Sequence, residues 1–121
     1  MNKRPKLRNL RPRTPEAAVV AQIRKLRPNL SNECPIRFFL YFATEDAANK
    51  AATVLRQGSF VVEVVPSIGA SPWLCLATKD MLPETTTLVE LRRDMVELAC
   101  KYGGEYDGWE AEINDELGSA G

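Results

Sequence analysis

Side chains suited to covalent or acid–base chemistry are sparse in this sequence. Its 121 residues include no histidine, which excludes Ser-His-Asp and Cys-His nucleophile systems and the HExxH zinc motif. The three cysteines, Cys34, Cys75 and Cys100, form no CxxC or CxxxC pair and are expected to be reduced thiols. We expect no metal ion and no cofactor, and we predict that the protein is not an enzyme.

The surroundings of each cysteine indicate whether its thiol could react. Cys75 lies between two leucines in a predicted strand and Cys100 lies late in a predicted helix, so both are expected to be buried. Cys34 precedes a proline in a predicted linker and could be exposed, but no basic residue adjoins it to stabilise a thiolate. None of the three is predicted to be catalytic.

Carboxylates are the remaining candidates for acid–base catalysis, which requires two of them with different roles. Five lie on or just before the second predicted helix: Asp80, Glu84, Glu90, Asp94 and Glu97. Side chains three or four residues apart on a helix surface are ordinary neighbours in solvent. We therefore interpret this group as an acidic helix face rather than a catalytic pair.

The net charge of zero conceals two oppositely charged parts of the chain. Residues 1–33 hold nine basic and two acidic side chains, a net charge of +7, and residues 34–121 hold seven basic and fourteen acidic ones, a net charge of −7. Such an asymmetry is typical of a basic arm on an acidic body, or of an internal clamp between the two. A third interpretation is a solvated arm with no specific role.

RNA binding is the alternative function that the arm suggests. Six basic side chains would neutralise phosphates: Lys3, Arg4, Lys6, Arg8, Arg11 and Arg13. Six contacts to a single strand predict that the logarithm of affinity falls with the logarithm of salt concentration with a slope of about −4. The competing expectation is that the arm folds back onto the acidic body, within one chain or across a dimer.

The amino-terminal third divides into an arm and a helix. Residues 1–13 hold two prolines and few large apolar side chains, which predicts a flexible basic arm. Residues 14–34 are predicted to form an amphipathic basic helix and a linker, with Thr14 as N-cap and Pro15 in the first turn. Apolar side chains such as Val19 and Ile23 recur at helical spacing, so this helix needs a surface to pack against.

Residues 35–110 are predicted to form the folded domain. Strands are expected over 36–43, 60–65, 73–78 and 105–109, with helices after Thr44 and after Pro83. The order strand, helix, strand, strand, helix, strand predicts an α+β ferredoxin-like sandwich, an antiparallel sheet with two helices on one face. The amphipathic helix or a partner protein would cover the other face. Residues 111–121 are expected to be an acidic tail.

Three aromatic residues occupy positions that resemble those of RNA-recognition motifs. Phe39 and Tyr41 lie in the first predicted strand and Trp73 begins the third, where such motifs stack bases. The third strand lacks the Lys/Arg-Gly-Phe/Tyr-Gly/Ala-Phe consensus that accompanies them. We therefore interpret these aromatic residues as core residues or as residues that face a protein partner.

The most distinctive segment follows the second predicted helix. After Gly103 and Gly104 it continues as Glu105-Tyr106-Asp107-Gly108-Trp109. Two large aromatic residues separated by Asp-Gly could form a tight corner that anchors the last strand, or a rigid recognition edge for a partner. The residues themselves do not decide between these alternatives.

This segment resembles the carboxy-terminal signature of the regulator of ribonuclease activity B family, bacterial proteins that inhibit ribonuclease E. The resemblance extends over roughly residues 35–110 and includes Thr44–Ala48 and Trp73–Lys79. It implies a ferredoxin-like domain that inhibits by protein contact. The chain departs from the founding members of that family in its basic arm and in its short acidic tail, which covers Glu110–Glu116.

Together these observations predict a non-enzymatic regulatory domain that binds a protein, with a ribonuclease as the partner that the resemblance implies. The expected contact comprises the acidic face of the second helix and six residues: Glu105, Tyr106, Asp107, Gly108, Trp109 and Trp73. No apolar run is long enough to span a membrane, no signal peptide is evident, and a cytoplasmic location is expected. The oligomeric state stays open.

Overall fold

The computed structural model describes residues 7–10, 20, 21, 23, 25 and 33–114 of the chain. In chain order its elements are β1 (Leu7–Leu10), β2 (Cys34–Phe42), α1 (Glu45–Gln57), β3 (Val61–Pro66), β4 (Trp73–Met81), α2 (Thr85–Lys101) and β5 (Glu105–Asn114). From β2 onward the order is that of the split βαβ pattern. The predicted α+β fold with four antiparallel strands and two helices is confirmed.

The strands form one sheet in the order β1-β5-β2-β4-β3, and each neighbouring pair is antiparallel. The central strand β2 pairs with β4 over nine residues, from Cys34 opposite Met81 to Phe42 opposite Trp73. On its other side β2 pairs with β5. Strand β2, which holds Phe39 and Tyr41, is therefore hydrogen-bonded along both edges.

The two faces of the sheet differ in what lies over them. Along β2, the even-numbered side chains from Cys34 to Phe42 are buried and the odd-numbered ones from Pro35 to Tyr41 are half-buried. The buried set joins one hydrophobic cluster with side chains of α1 and α2, so both helices lie on that face. We call it the covered face and the other, which holds Arg37, Phe39 and Tyr41, the open face.

Helix α1 packs closely because its inner side is built from alanine. Ala48, Ala51 and Ala52 are fully buried, and these small side chains let the helix approach the sheet. The Thr44 hydroxyl accepts a hydrogen bond from the Ala47 amide at 3.1 Å, which confirms the predicted N-cap. Beneath α1 the rings of Phe38 and Phe60 meet edge to face with centroids 5.7 Å apart.

The predicted amino-terminal helix and the linker after it lie mostly outside the described residues. Of the predicted helix, Val20, Ala21, Ile23 and Lys25 are described and are helical. Val20 and Ile23 are buried in the same cluster as the side chains of the covered face. These two side chains therefore pack into the core, whereas the sequence suggested that this segment covers the opposite face.

Both ends of the predicted domain differ from expectation. The predicted arm contains β1, and β5 continues four residues past Glu110 into the predicted tail. The two extensions pair with each other, from Leu7 opposite Asn114 to Leu10 opposite Ala111. Each supplies the backbone hydrogen-bond partner that the other lacks in isolation.

Candidate functional site

A groove opens at the end of the sheet where β2 finishes and β5 begins. Its cavity volume is about 230 Å³, and its lining comes from β2, from the β3–β4 loop and from β5: Tyr41, Ile68, Ala70, Ser71, Glu105 and Asp107. Tyr41 lies opposite Glu105 in the β2–β5 register. Because directly paired residues share a face, both point to the open face. We call this cavity the corner groove.

The β3–β4 loop holds an apolar side chain in solvent beside this groove. Ile68 is 97% exposed. The loop that carries it is closed by a hydrogen bond from the Ser67 amide to the Pro72 carbonyl at 2.7 Å. Gly69 follows with φ = +117°, a backbone conformation that favours glycine. Ile68 is thus presented to solvent on a closed loop.

Two consecutive glycines bring β5 against the end of β2. Gly103 has φ = +73° just after α2, so it ends the helix in the left-handed conformation as predicted. At Gly104 a Cβ atom would overlap the Tyr41 carbonyl oxygen and the Phe42 ring. The glycine pair therefore lets Glu105 lie beside Tyr41.

A β-bulge changes the direction of the side chains in the distinctive segment, Glu105–Trp109. The register shifts so that Phe39 lies opposite Gly108 and Leu40 opposite Tyr106, which leaves Asp107 as the extra residue. Gly108 has φ = +113°. Past the bulge Trp109 lies opposite Phe38 on the covered face. The bulge thus turns both aromatic residues of the segment toward the core and leaves the carboxylates outside.

The six predicted contact residues fall into three groups: exposed, fully buried and partly buried. Glu105 and Asp107 are exposed and line the corner groove. Trp109 is fully buried, and its Nε1 has no hydrogen-bond acceptor among the described residues. Its indole cannot touch a partner, so its burial favours the anchoring corner over the recognition edge.

The other predicted contact residues are partly buried. Tyr106 and Trp73 pack against the core cluster, and Trp73 lies opposite Phe42 and thus on the covered face. Trp73 therefore does not join Phe39 and Tyr41 in the arrangement that an RNA-recognition motif would need. Gly108 is half-buried in the bulge.

Carboxylates dominate the charge of the open face. Glu63, Glu105, Glu110 and Glu112 belong to strand positions on this face, together with Arg37. Arg37 bonds to Glu112, and its Nε lies 3.8 Å from Glu110 Oε2. Among the described side chains the face is therefore net negative, which disfavours RNA phosphates here.

The second helix places its carboxylates elsewhere. Glu90, Asp94 and Glu97 are exposed on α2, which lies over the covered face. The sheet separates them from Tyr41 and Glu105, so they do not extend the corner groove. The structure thus divides the predicted acidic contact into two surfaces.

A larger cavity of about 440 Å³ lies along the outer side of α2. Its lining comes, among the described residues, from that helix alone: Val89, Arg92, Arg93, Val96, Glu97 and Cys100. It contains none of the six predicted contact residues and no element of the distinctive segment. We therefore place the candidate site at the smaller cavity, where three elements converge.

The cysteines only partly follow the sequence-based expectation. Cys75 is buried as predicted, and burial raises the pKa of its thiol from 9.0 to about 11, an effect that the nearby Arg56 guanidinium partly offsets. Cys34 is buried opposite Met81 rather than exposed, and Cys100 is exposed rather than buried. Cys34 is buried because strand β2 begins two residues earlier than predicted.

No group of three metal-ligating side chains occurs within the described ranges, and no helix of the described chain is long and apolar enough to cross a membrane. The six basic side chains predicted to bind RNA lie outside the described side chains: Lys3, Arg4, Lys6, Arg8, Arg11 and Arg13.

The corner groove presents a phenol ring, an exposed aliphatic side chain and two carboxylates, which together are suited to binding.

Sequence reasoning missed the β3–β4 loop as part of the site. Ile68, Ala70 and Ser71 lie in a segment rich in glycine and proline that predicted only a loop. An isoleucine among turn-forming residues was the available signal, because such segments seldom need a large apolar side chain. For Tyr41 the sequence predicts a core position or contact with a protein partner.

Comparison with known proteins places the chain in a family. A family model described as regulator of ribonuclease activity B matches residues 15–111, which includes both helices and every lining residue of the corner groove. No curated protein and no solved structure matches significantly. The match extends over most of the chain, and the protein belongs to the regulator of ribonuclease activity B family.

Proposed function

We propose that this protein inhibits a ribonuclease by direct contact and that the corner groove forms the centre of that contact. Membership in the family indicates regulation of ribonuclease activity. The sequence resemblance names ribonuclease E as the enzyme to test. Contact with such an enzyme would take place in the cytoplasm.

The observation that carries this proposal is the exposure of Ile68. The Ile68 side chain is 97% exposed. Because the loop that carries it is already closed, the loop loses little conformational freedom when a partner covers this side chain. Burial of an isoleucine removes apolar area from water, which stabilises a complex by about 1.5–3 kcal/mol. The adjacent Glu105 and Asp107 would orient a partner of opposite charge.

A binding role also fits the chemistry of the groove. Ser71 is a hydroxyl residue in its lining, but the chain contains no histidine that could act as its base. The buried thiol of Cys75, with its raised pKa, is a poor nucleophile. We therefore propose inhibition without covalent chemistry.

The test is a titration of the full chain into purified ribonuclease E, with cleavage of a fluorogenic RNA and binding by calorimetry as the two measurements. The matched variants are Ile68→Ser in the groove and Val54→Ser on α1, where Val54 is also exposed, at 41%. We expect Ile68→Ser to weaken binding and inhibition by about tenfold, which corresponds to about 1.4 kcal/mol. Val54→Ser should leave both unchanged.

Two results would contradict the proposal. Ribonuclease E that neither binds the chain nor loses activity in its presence would reject the function itself. Equal behaviour of Ile68→Ser and Val54→Ser, with both variants folded by circular dichroism, would reject the corner groove as the contact. Binding that needs RNA in the sample would favour the arm-based alternative instead.

A further inference from the structure

We propose, on the basis of the proposed function, that the corner groove accepts an arginine side chain of the protein partner. The groove would hold the guanidinium between the Tyr41 ring and the Glu105 carboxylate, with Ile68 against the aliphatic part of the side chain. This assigns the partner a chemistry, namely a segment that exposes an arginine next to apolar residues.

The size of the groove favours a single side chain. Small-molecule and cofactor sites usually have volumes of about 300–1,000 Å³, whereas the corner groove has about 230 Å³. It also lies at an edge of the open face rather than in the interior. A cavity of this size and position suits one long side chain that enters from a bound protein.

The charge of the groove favours a cation. Of its six lining residues within the described part of the chain, two are acidic and none is basic. Within the described part of the chain, no salt bridge engages Glu105, which is exposed. On the open face, the Arg37 guanidinium is held by Glu110 and Glu112, which lie on the same strand as Glu105. The Glu105 carboxylate is therefore available to an external cation.

The aromatic wall favours arginine over lysine. Tyr41 is half-buried, and its backbone is held on both sides because it pairs with Leu74 on β4 and with Glu105 on β5. A planar guanidinium can stack on such a ring and still donate two hydrogen bonds to one carboxylate. An ammonium group is a point charge with stronger hydration, so it gains less from the same surroundings.

The experiment uses the full chain labelled with nitrogen-15 and a pentapeptide of sequence Gly-Leu-Arg-Leu-Gly, blocked at both ends. Two analogues replace its arginine with lysine or with citrulline, which keeps the shape but removes the charge. We expect the arginine peptide to shift the amide signals of Tyr41, Ile68 and Glu105. The lysine peptide should bind several-fold more weakly and the citrulline peptide should cause no shifts.

Matched variants separate the groove from general charge attraction. Glu105→Gln should weaken binding of the arginine peptide by about tenfold, since it removes the negative charge that strengthens the hydrogen bonds from the guanidinium. Glu90→Gln, which removes an exposed carboxylate from α2, should have no effect. Tyr41→Leu should weaken binding of the arginine peptide by about threefold, which corresponds to the loss of an exposed cation–π contact.

Several outcomes would overturn the inference. These are equal binding of the three peptides, shifts that map away from the groove, equal effects of Glu105→Gln and Glu90→Gln, and the absence of any shift. If none of the peptides binds while Ile68→Ser still weakens ribonuclease binding, the arginine assignment is wrong and the proposed function stands. If the arginine peptide binds while ribonuclease E does not, the proposed function fails and the groove serves another partner.

Discussion

The two faces of β2 show how one strand serves two purposes. On the covered face Phe38 and Phe42 are fully buried beneath the helices. On the open face Phe39 and Tyr41, each one position away, are half-buried. Because strand side chains alternate between faces, a single run of aromatic residues supplies both the core and a surface.

The same division occurs within five residues of the distinctive segment. Trp109 is buried while Glu105 and Asp107 are exposed. The exposed carboxylates would be poorly placed without the buried indole, since the indole fixes β5 against β2. Stability on the covered face is therefore a condition for the proposed recognition at the corner groove, and stability and binding should respond differently to substitution.

The largest expected effect is that of Trp109→Ala. Removal of a fully buried indole should lower the free energy of unfolding by about 3–5 kcal/mol, because transfer and cavity terms add. Denaturation by urea measures it. Trp109→Phe should lose less, since the indole Nε1 has no acceptor among the described residues to leave unpaired.

Glu105→Gln is the comparison for this measurement. It changes an exposed side chain, so the free energy of unfolding should stay within about 0.5 kcal/mol of the parent value. A Trp109→Ala variant as stable as Glu105→Gln would mean that the two faces do not differ as the structure indicates.

The fold was predictable where local signals were strong. Alternation in β2, the Thr44 cap and the glycine after α2 each predicted their elements, and the order of those elements predicted the sheet. The pairing of β1 with the end of β5 was not predictable in this way. Leu7–Leu10 and the residues after Ala111 show little local preference, and the two segments pair with each other as strands.

The candidate site was predictable only in part, for a geometrical reason. Tyr106 and Trp109 are three residues apart, so a regular strand would place them on opposite faces. The bulge at Asp107 and Gly108 puts both on the covered face, and no pattern in a single sequence locates a bulge with certainty. The predicted carboxylates Glu105 and Asp107 line the corner groove, but the loop with Ile68 comes from a distant part of the chain.

A pH-dependent effect of intermediate size is expected from Cys75. The pKa of its thiol is raised from 9.0 to about 11 in the folded protein, so unfolding favours the thiolate. Stability from this group is present below pH 9 and is lost as the pH rises through about 11. The loss should approach about 2–3 kcal/mol, since each pKa unit corresponds to about 1.4 kcal/mol.

Cys75→Ala isolates this contribution. Other groups titrate in the same range, but they are common to both proteins and cancel in the difference of unfolding free energies. The difference should change between pH 8 and pH 11. A constant difference would show that the thiol on the covered face is less well shielded from water than its burial indicates.

The smallest of the three predicted losses of stability, and the one that joins the two faces, is expected from Gly104→Ala. Its new methyl group would overlap the Tyr41 carbonyl oxygen and the Phe42 ring, so β5 must shift, at a cost of about 1–3 kcal/mol. Gly58→Ala is the matched control at the end of α1, because the nearest atom to its methyl group would be the Leu55 carbonyl oxygen at 3.4 Å. The thermal midpoint of Gly58→Ala should stay close to the parent value, whereas that of Gly104→Ala should fall.

Since Tyr41 lines the corner groove, Gly104→Ala should also weaken ribonuclease binding at temperatures where it remains folded, whereas Gly58→Ala should not. Loss of stability with full binding would show that the groove tolerates displacement of β5, and the proposed dependence of recognition on the covered face would then be wrong.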